Sequence, residues 1–425
     1  MGNPPAPLPV TLADVRAAAV RIRGAVRRTP LVPLPAFPGL PDVPVYLKLE
    51  NLQLTGAFKL RGATNHLAQL PTELARAGVV TASAGNHAQG VAWAARSLGI
   101  PATIVMATAA SPFKVSATSA LGARVILHGA DYEEAHEEAV RLAREEHLAY
   151  VPPFDDAQVI AGQGTVGLEI MEELPDTRRI IAGVGGGGLL AGIAVAACGI
   201  SDKVAITGIQ PAGADTFRSS LAEGRVVVGG RPRTFADGLA TRHVGDLPLT
   251  LLRALGASAY AVDDLEIARA VFLLLEKAKL LAEGAGAIPL AGLLAHPEIA
   301  APGPVVLVIS GGNIDPFLLD RVLWIGLSAE GRLLRLRAAL PDIPGRLAEF
   351  LTVAADAGAN VRQIEHDRES PAHGPGEVTV EVELEVRNPA HAREVAEAYG
   401  RRGFPVERLG ATGAESAPIL HREQP

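Results

Sequence analysis

Residues Ile180 to Ile200 constrain this chain more than any other stretch. These 21 consecutive residues carry no charge, and seven are glycines, four of them in a row at Gly185–Gly188. An uncharged run of this length could cross a bilayer as a helix. Consecutive glycines argue against that, because each costs a helix about 1 kcal/mol relative to alanine. The run instead divides into a strand (Ile180–Val184), a glycine loop and a helix, and no membrane span is expected. Strand, loop and helix in succession is the repeating unit of a parallel sheet covered by helices on both faces. Sites in such sheets form at the carboxyl ends of strands.

The chain up to Leu327 agrees with this. Short apolar runs at Val79–Ser83, Ala102–Met106, Ala123–Leu127, Val204–Ile209 and Val305–Ile309 alternate with helical patterns. Beyond Leu327 the pattern changes. Val378, Val380, Val382, Leu384 and Val386 alternate with Thr379, Glu381, Glu383 and Glu385, the period of a strand with one wet face. Further strands are expected at Arg332–Ala338, Val361–His366 and Pro405–Leu409, with helices at Leu347–Ala357 and Ala390–Gly400. The sum is β-α-β-β-α-β, the ferredoxin-like order. A polar loop is expected over Glu369–Gly376. The chain thus reads as an α/β catalytic part, residues 1–328, an α+β module, residues 331–411, and a tail, residues 412–425.

Acidic residues outnumber basic ones by 46 to 39 and the net charge is -7, so nothing electrostatic favours nucleic acid or an anionic membrane as a partner. Cys198 is the single cysteine, which excludes an intrachain disulfide and suits a reducing compartment. The proline-rich start, Met1 to Val10, lacks the basic-then-apolar pattern of a signal peptide. A cytoplasmic location is expected.

Four segments carry chemistry. In Leu54-Thr55-Gly56-Ala57-Phe58-Lys59-Leu60-Arg61-Gly62-Ala63, Thr55-Gly56 suggests a helix entrance and places Lys59 in the first turn. There the positive end of the helix dipole favours the neutral amine, the form a lysine nucleophile requires; a surface lysine is the alternative. Thr81-Ala82-Ser83-Ala84-Gly85-Asn86-His87-Ala88-Gln89-Gly90 follows a strand and opens a helix. Its amides suit a carboxylate, with Ser83 and His87 as further donors. Gly183-Val184-Gly185-Gly186-Gly187-Gly188-Leu189 suits a phosphate. It also fits G-x-G-x-x-G, so a dinucleotide site is an alternative, although the next strand ends in Gln210 and not in the acid that holds a ribose. Ser310-Gly311-Gly312-Asn313 closes another strand; alone it is a tight turn.

In this order the four motifs resemble those of the fold-type-II pyridoxal-phosphate (PLP) enzymes, the serine/threonine dehydratases and serine racemases, over nearly all of residues 15–325. The resemblance implies two parallel-sheet subdomains, the smaller, about residues 53–155, inserted in the larger. It makes Lys59, beside Phe58, the Schiff-base lysine and general base. Asn86 would meet the phenolic oxygen of PLP, and the segment Ser83, Ala84, Gly85, Asn86 and His87 the substrate carboxylate. Gly185, Gly186, Gly187 and Gly188 become the phosphate cup. Gly238, in Ala236-Asp237-Gly238-Leu239, packs on the ring face, Glu283 lies beside the cofactor, and Ser310 stands against the pyridine nitrogen. A serine there makes a weaker electron sink than an aspartate, which suits elimination better than transamination.

Two departures from the family pattern sharpen this. Racemases carry a second serine where this chain has Ala84, which argues for dehydration. Gln210 and Thr216 stand where many relatives hold a divalent cation with acids. Asp215 alone seldom makes a hard-cation site, and no metal is expected. The implied reaction is β-elimination of L-threonine to 2-oxobutanoate and ammonia, with L-serine to pyruvate beside it. Serine or hydroxyaspartate dehydration, racemisation and non-catalytic amino-acid sensing are the alternatives. Residues 331–411 resemble an ACT regulatory domain through Leu340-Pro341-Asp342-Ile343-Pro344-Gly345-Arg346-Leu347. That implies an effector site at Asp342, Gly345 and Asn360, a branched-chain amino acid as effector, and pairing of copies in a homodimer or homotetramer. A module that only dimerises the enzyme is the alternative. The whole arrangement resembles the medium-length threonine ammonia-lyases.

Overall fold

The structure is a computed structural model that describes residues 8–368, 376–409 and 417–418. Residues 369–375 of the expected polar loop lie outside the described residues, as does the tail after 411 apart from 417–418. The chain forms two compact units, Met1–Asp315 and Pro316–Pro425.

The first unit opens with α1 (Leu12–Arg21), β1 (Leu31–Pro33) and β2 (Val45–Leu49). Next come α2 (Lys59–Leu67), α3 (Thr72–Ala77), β3 (Val79–Ala82), α4 (Asn86–Leu98), β4 (Ala102–Met106), α5 (Pro112–Ser119), β5 (Arg124–Leu127), α6 (Tyr132–Glu145) and β6 (Ala149–Tyr150). The chain continues through α7 (Ala157–Glu173), β7 (Arg179–Gly183), α8 (Gly188–Ile200), β8 (Ala205–Pro211), α9 (Phe217–Glu223), α10 (Asp246–Ala254), β9 (Ser258–Val262), α11 (Asp264–Leu273), α12 (Gly284–Ala295) and β10 (Val305–Ile309). The second unit holds α13 (Pro316–Ala329), β11 (Leu333–Pro341), α14 (Arg346–Asp356), β12 (Asn360–Asp367), β13 (Glu377–Glu385), α15 (Pro389–Arg401), β14 (Glu407–Leu409) and β15 (Ala417–Pro418).

Two parallel sheets make the first unit. The larger has the order β1-β2-β10-β7-β8-β9 and the smaller β5-β4-β3-β6; β1 alone runs antiparallel to its neighbour. All five residues of β10 are buried between β2 and β7, as strands with both faces covered require. The uncharged run Ile180–Ile200 is strand β7, a glycine loop and helix α8. Residues Leu189–Ala197 of α8 are all buried, chiefly against α7. The two helix backbones touch at Gly192, where a Cβ would stand 2.6 Å from the Gly164 nitrogen. Among the described residues no helix is long and apolar enough to cross a membrane.

In the second unit β13 pairs antiparallel with β11 and β12, and β11 with β14. Helices α14 and α15 bring Phe350 and Tyr399 into a core with Phe404 and the buried side chains of β11 and β13. The opposite face of that sheet carries Arg335 and Arg337, both paired with Glu381. This is the ferredoxin-like order the alternating sequence implied. The division between units falls at Asp315/Pro316 and not at 328–331, because α13 belongs with the second unit. A change in strand period cannot register a helix that precedes it.

Candidate active site

Residues at the carboxyl ends of β3, β7 and β10 line one cavity of about 870 Å³. All four motifs reach it, and so do Gly238 and Glu283.

Helix α2 begins at Lys59 and not at Thr55-Gly56 as the sequence suggested. The cause is a clip between the preceding loop and the end of β10. The Phe58 amide donates to the Ser310 carbonyl at 3.0 Å, and the Gly312 amide to the Gly56 carbonyl at 2.9 Å. Ala57 and Gly311 form an antiparallel bridge between them. Lys59 Nζ donates to the Pro153 carbonyl at 2.6 Å. Burial pushes its amine down to about 8, and the helix start acts in the same sense.

Two residues on, Arg61 is fully buried and ion-paired with Glu50 and with Glu169 of α7. This fastens the lysine helix to elements far away in sequence. No local pattern around Arg61 announces its partners.

Helix α4 starts at Asn86, leaving its first amides without intrahelical acceptors. Ser83 Oγ accepts from the Gly85 amide at 3.1 Å. His87 departs from expectation. Its Nε2 lies 3.1 Å from the Val151 carbonyl; a carbonyl only accepts, so Nε2 carries the hydrogen. Burial, and then the charge of Lys59, push His87 down to about 3. The ring is neutral, and its buried Nδ1 is a bare lone pair with no partner among the described residues. The side chain therefore has no spare N–H for a carboxylate. The backbone amides of this segment, the Ser83 hydroxyl and the second hydrogen of Asn86 Nδ2 are donors that face the cavity.

Asn86 Nδ2 donates to Glu283 Oε1 at 2.7 Å. Glu283 is 6% exposed; burial, reinforced by the Asp237 charge, pushes its carboxyl up to about 7. Ser310 Oγ donates to the Ala285 carbonyl at 3.1 Å. A Cβ on Gly238 would lie 3.0 Å from that of Ala285, so this glycine lets the two segments pack closely.

The glycine loop is tight for a definite reason. A Cβ on Gly186 would be driven into the ring of Phe154, and one on Gly188 would stand 2.9 Å from the Phe154 carbonyl. Side chains here would displace Phe154 or the loop backbone, whose amides at a helix start can meet an anion. Beside the loop, Thr241 Oγ1 is buried and has no hydrogen-bond partner among the described residues. An orphaned donor next to unspent amides calls for a ligand with several acceptor oxygens. The buried amine of Lys59 lines the same cavity.

Residues 22–311 match the family described as pyridoxal-phosphate dependent enzyme. The chain belongs to that family. It is 44% identical over 402 residues to a Geobacter sulfurreducens protein named L-threonine ammonia-lyase, covering 95% of this chain and 100% of that one. Maize serine racemase aligns with a TM-score of 0.71 at 34% identity, covering 76% of this chain and 99% of that one. The processed form of threonine deaminase isoform 2 from Solanum lycopersicum gives a TM-score of 0.69 at 34% identity, covering 76% and 98%. As a PLP enzyme the protein offers its cofactor a lysine amine, an amide-lined cup and an orphaned hydroxyl, and these residues fit PLP. Membership also sets the dinucleotide alternative aside: Gln210 is spent on the Val184 carbonyl and the Phe217 amide. Phe154, Thr241 and the Pro153 carbonyl are parts of the cavity that no sequence motif marked.

Proposed function

We propose that the protein is an L-threonine ammonia-lyase with L-serine as a second substrate. The observation that carries this reading is Lys59, a buried amine lowered to about 8 in the same cavity as Ser310. The full-length likeness to a protein named L-threonine ammonia-lyase supports it. PLP, when bound, supplies the electron withdrawal that loosens the Cα proton. Gly185–Gly188 would hold its phosphate, Asn86 its phenolic oxygen and Ser310 its pyridine nitrogen. The start of α4, with Ser83, binds the substrate carboxylate. Lys59 takes the Cα proton, and the β-hydroxyl departs as water once it has gained a proton, which the phosphate held at Gly185–Gly188 would supply. Hydrolysis of what remains yields 2-oxobutanoate and ammonia. Ala84 cannot return a proton from the opposite face, which favours elimination over racemisation.

The test begins with the visible spectrum of the purified protein and a 2-oxobutanoate assay with L-threonine. A band at roughly 410 nm with product appearing supports the proposal. A PLP band with product from serine alone, or with racemisation, overturns the substrate. No uptake of PLP overturns the site.

We propose further that the second unit is an ACT-type module binding isoleucine or valine, since 2-oxobutanoate feeds isoleucine synthesis. Its support is a cavity of about 350 Å³ lined by Asp342, Gly345, His366 and Arg368 among others. Asp342 and Arg368 form an ion pair of 2.9 Å across it, a matched pair for the two charges of an amino acid. Asn360 does not line this cavity; it donates to Glu385 Oε2 at 3.3 Å. Pairing of copies into a dimer or tetramer in the cytoplasm completes the proposal. Unchanged kinetics and no binding with either amino acid would remove the effector.

A further inference from the structure

Asn313 follows the turn at the end of β10, and its side chain sits in the cavity wall. Its Nδ2 donates twice, to the Thr55 carbonyl at 2.8 Å and to Asn86 Oδ1 at 2.8 Å. A backbone carbonyl only accepts, so Thr55 fixes which end of the Asn313 amide is nitrogen. That nitrogen in turn obliges the Asn86 atom beside it to be oxygen. Asn86 Nδ2 must then point the other way, where it gives one hydrogen to Glu283 Oε1 at 2.7 Å and keeps a second for a ligand. A chain of three hydrogen bonds thus runs from an acceptor-only carbonyl to a carboxyl, and every amide in it has one permitted orientation.

We propose that Asn313 is a positioning residue that selects the orientation of the Asn86 amide, so that Asn86 meets the phenolic oxygen of PLP with N–H and not with C=O. The inference rests on the proposed contact between Asn86 and that oxygen. With Asn86 reversed, nitrogen would face the Asn313 nitrogen, and oxygen would face both Glu283 and an anionic phenolic oxygen. Repulsions would replace the hydrogen bonds at Asn313 and at the phenolic oxygen. Gly56, whose φ is +71°, leaves the room that the Asn313 amide occupies; a Cβ there would strike Asn313 Oδ1. Gly56 therefore serves the amide as well as the loop.

The experiment is a double-mutant cycle on the full chain, with Asn313→Ala and Asn86→Ala alone and together. PLP dissociation constants and the visible absorption maximum of the bound form are the readouts. Each single variant is expected to weaken PLP binding about tenfold, the scale of one hydrogen bond to a charged group, and to shift the band. The double variant is expected to match Asn86→Ala, because Asn313 acts only through it. Additive effects, or an Asn313→Ala protein with native affinity and spectrum, would overturn the proposal while leaving Asn86 in place. If Asn86→Ala alone changed neither readout, the contact with PLP would fall, and the proposal with it. Should Asn313→Ala not fold, Asn313→Asp, equal in size but unable to donate when ionised, carries the same cycle.

Discussion

Arg61 and Glu50 are both fully buried, and the guanidinium meets the carboxylate with two parallel bonds of 2.8 Å, Nε to one oxygen and Nη2 to the other. The remaining donors of Arg61 go to Glu169, Thr165 and the Arg27 carbonyl. A buried pair with one member deleted leaves an uncompensated charge, at a cost of about 3–5 kcal/mol. Arg61→Ala is therefore expected to lose stability on that scale in urea unfolding. Because Arg61 lies two residues from Lys59 on the same helix, the variant should also release PLP faster on dilution. A variant as stable as the parent would show that the surroundings relax around the lone carboxylate.

The glycine loop makes a steric prediction. Gly186→Ala should abolish PLP retention, since its Cβ has no room beside Phe154. Removing the obstacle with Phe154→Ala in the same chain should restore part of it. Equilibrium dialysis with PLP reads both. Failure of the second substitution to help would mean the loop needs more at position 186 than space.

Glu283 gives a pH dependence whose sign is fixed. Its ordinary value is 4.5, and in the folded protein burial and then Asp237 raise it to about 7. Between those values the folded chain holds a proton that the unfolded chain has released, so stability falls as pH rises from 4.5 through 7. Glu283→Gln removes this slope. In PLP-free protein the variant should gain on wild type by up to ~3 kcal/mol between pH 5 and pH 8. Asp237→Asn should shrink the same slope. Parallel melting curves across that range would show that Glu283 titrates normally.

Ala84 lines the cavity beside the start of α4. Ala84→Ser supplies a hydroxyl able to return a proton from the side away from Lys59. The variant is expected to form D-serine from L-serine while it continues to dehydrate, as chiral chromatography would show. Dehydration with no D-serine would count against this account of position 84.

What the sequence disclosed and what it hid divide along one physical line. The strand ends, the glycine loop and the start of α4 were legible because each places a local demand on the backbone. The alternation at Val378–Val386 was legible because burial on one face dictates it. Strands β2 and β9 were not: β2 is interrupted by the buried Lys48, and the apolar run of β9, Ala259–Val262, is short, holds two alanines and has one β-branched residue. The true start of α2, the fit of Phe154 over Gly186 and the hydrogen bonds of Asn313 depend on partners distant in the chain. The hydrogen bond of His87 is hidden from the sequence for a related reason. A histidine near a helix start looks like a donor until the carbonyl of Val151 is seen to have claimed its hydrogen.

The clip between the Lys59 loop and the end of β10 is made of main-chain atoms only. The span from the Lys59 amine to Ser310 is therefore set by backbone that stays in place as long as Gly56, Gly311 and Gly312 carry no side chain. On the proposed reading, exchanging Ser310 would retune the electronics of the cofactor without moving its anchor. Placement and reactivity are governed by separate parts of the scaffold, and a framework built this way can change its reaction one substitution at a time.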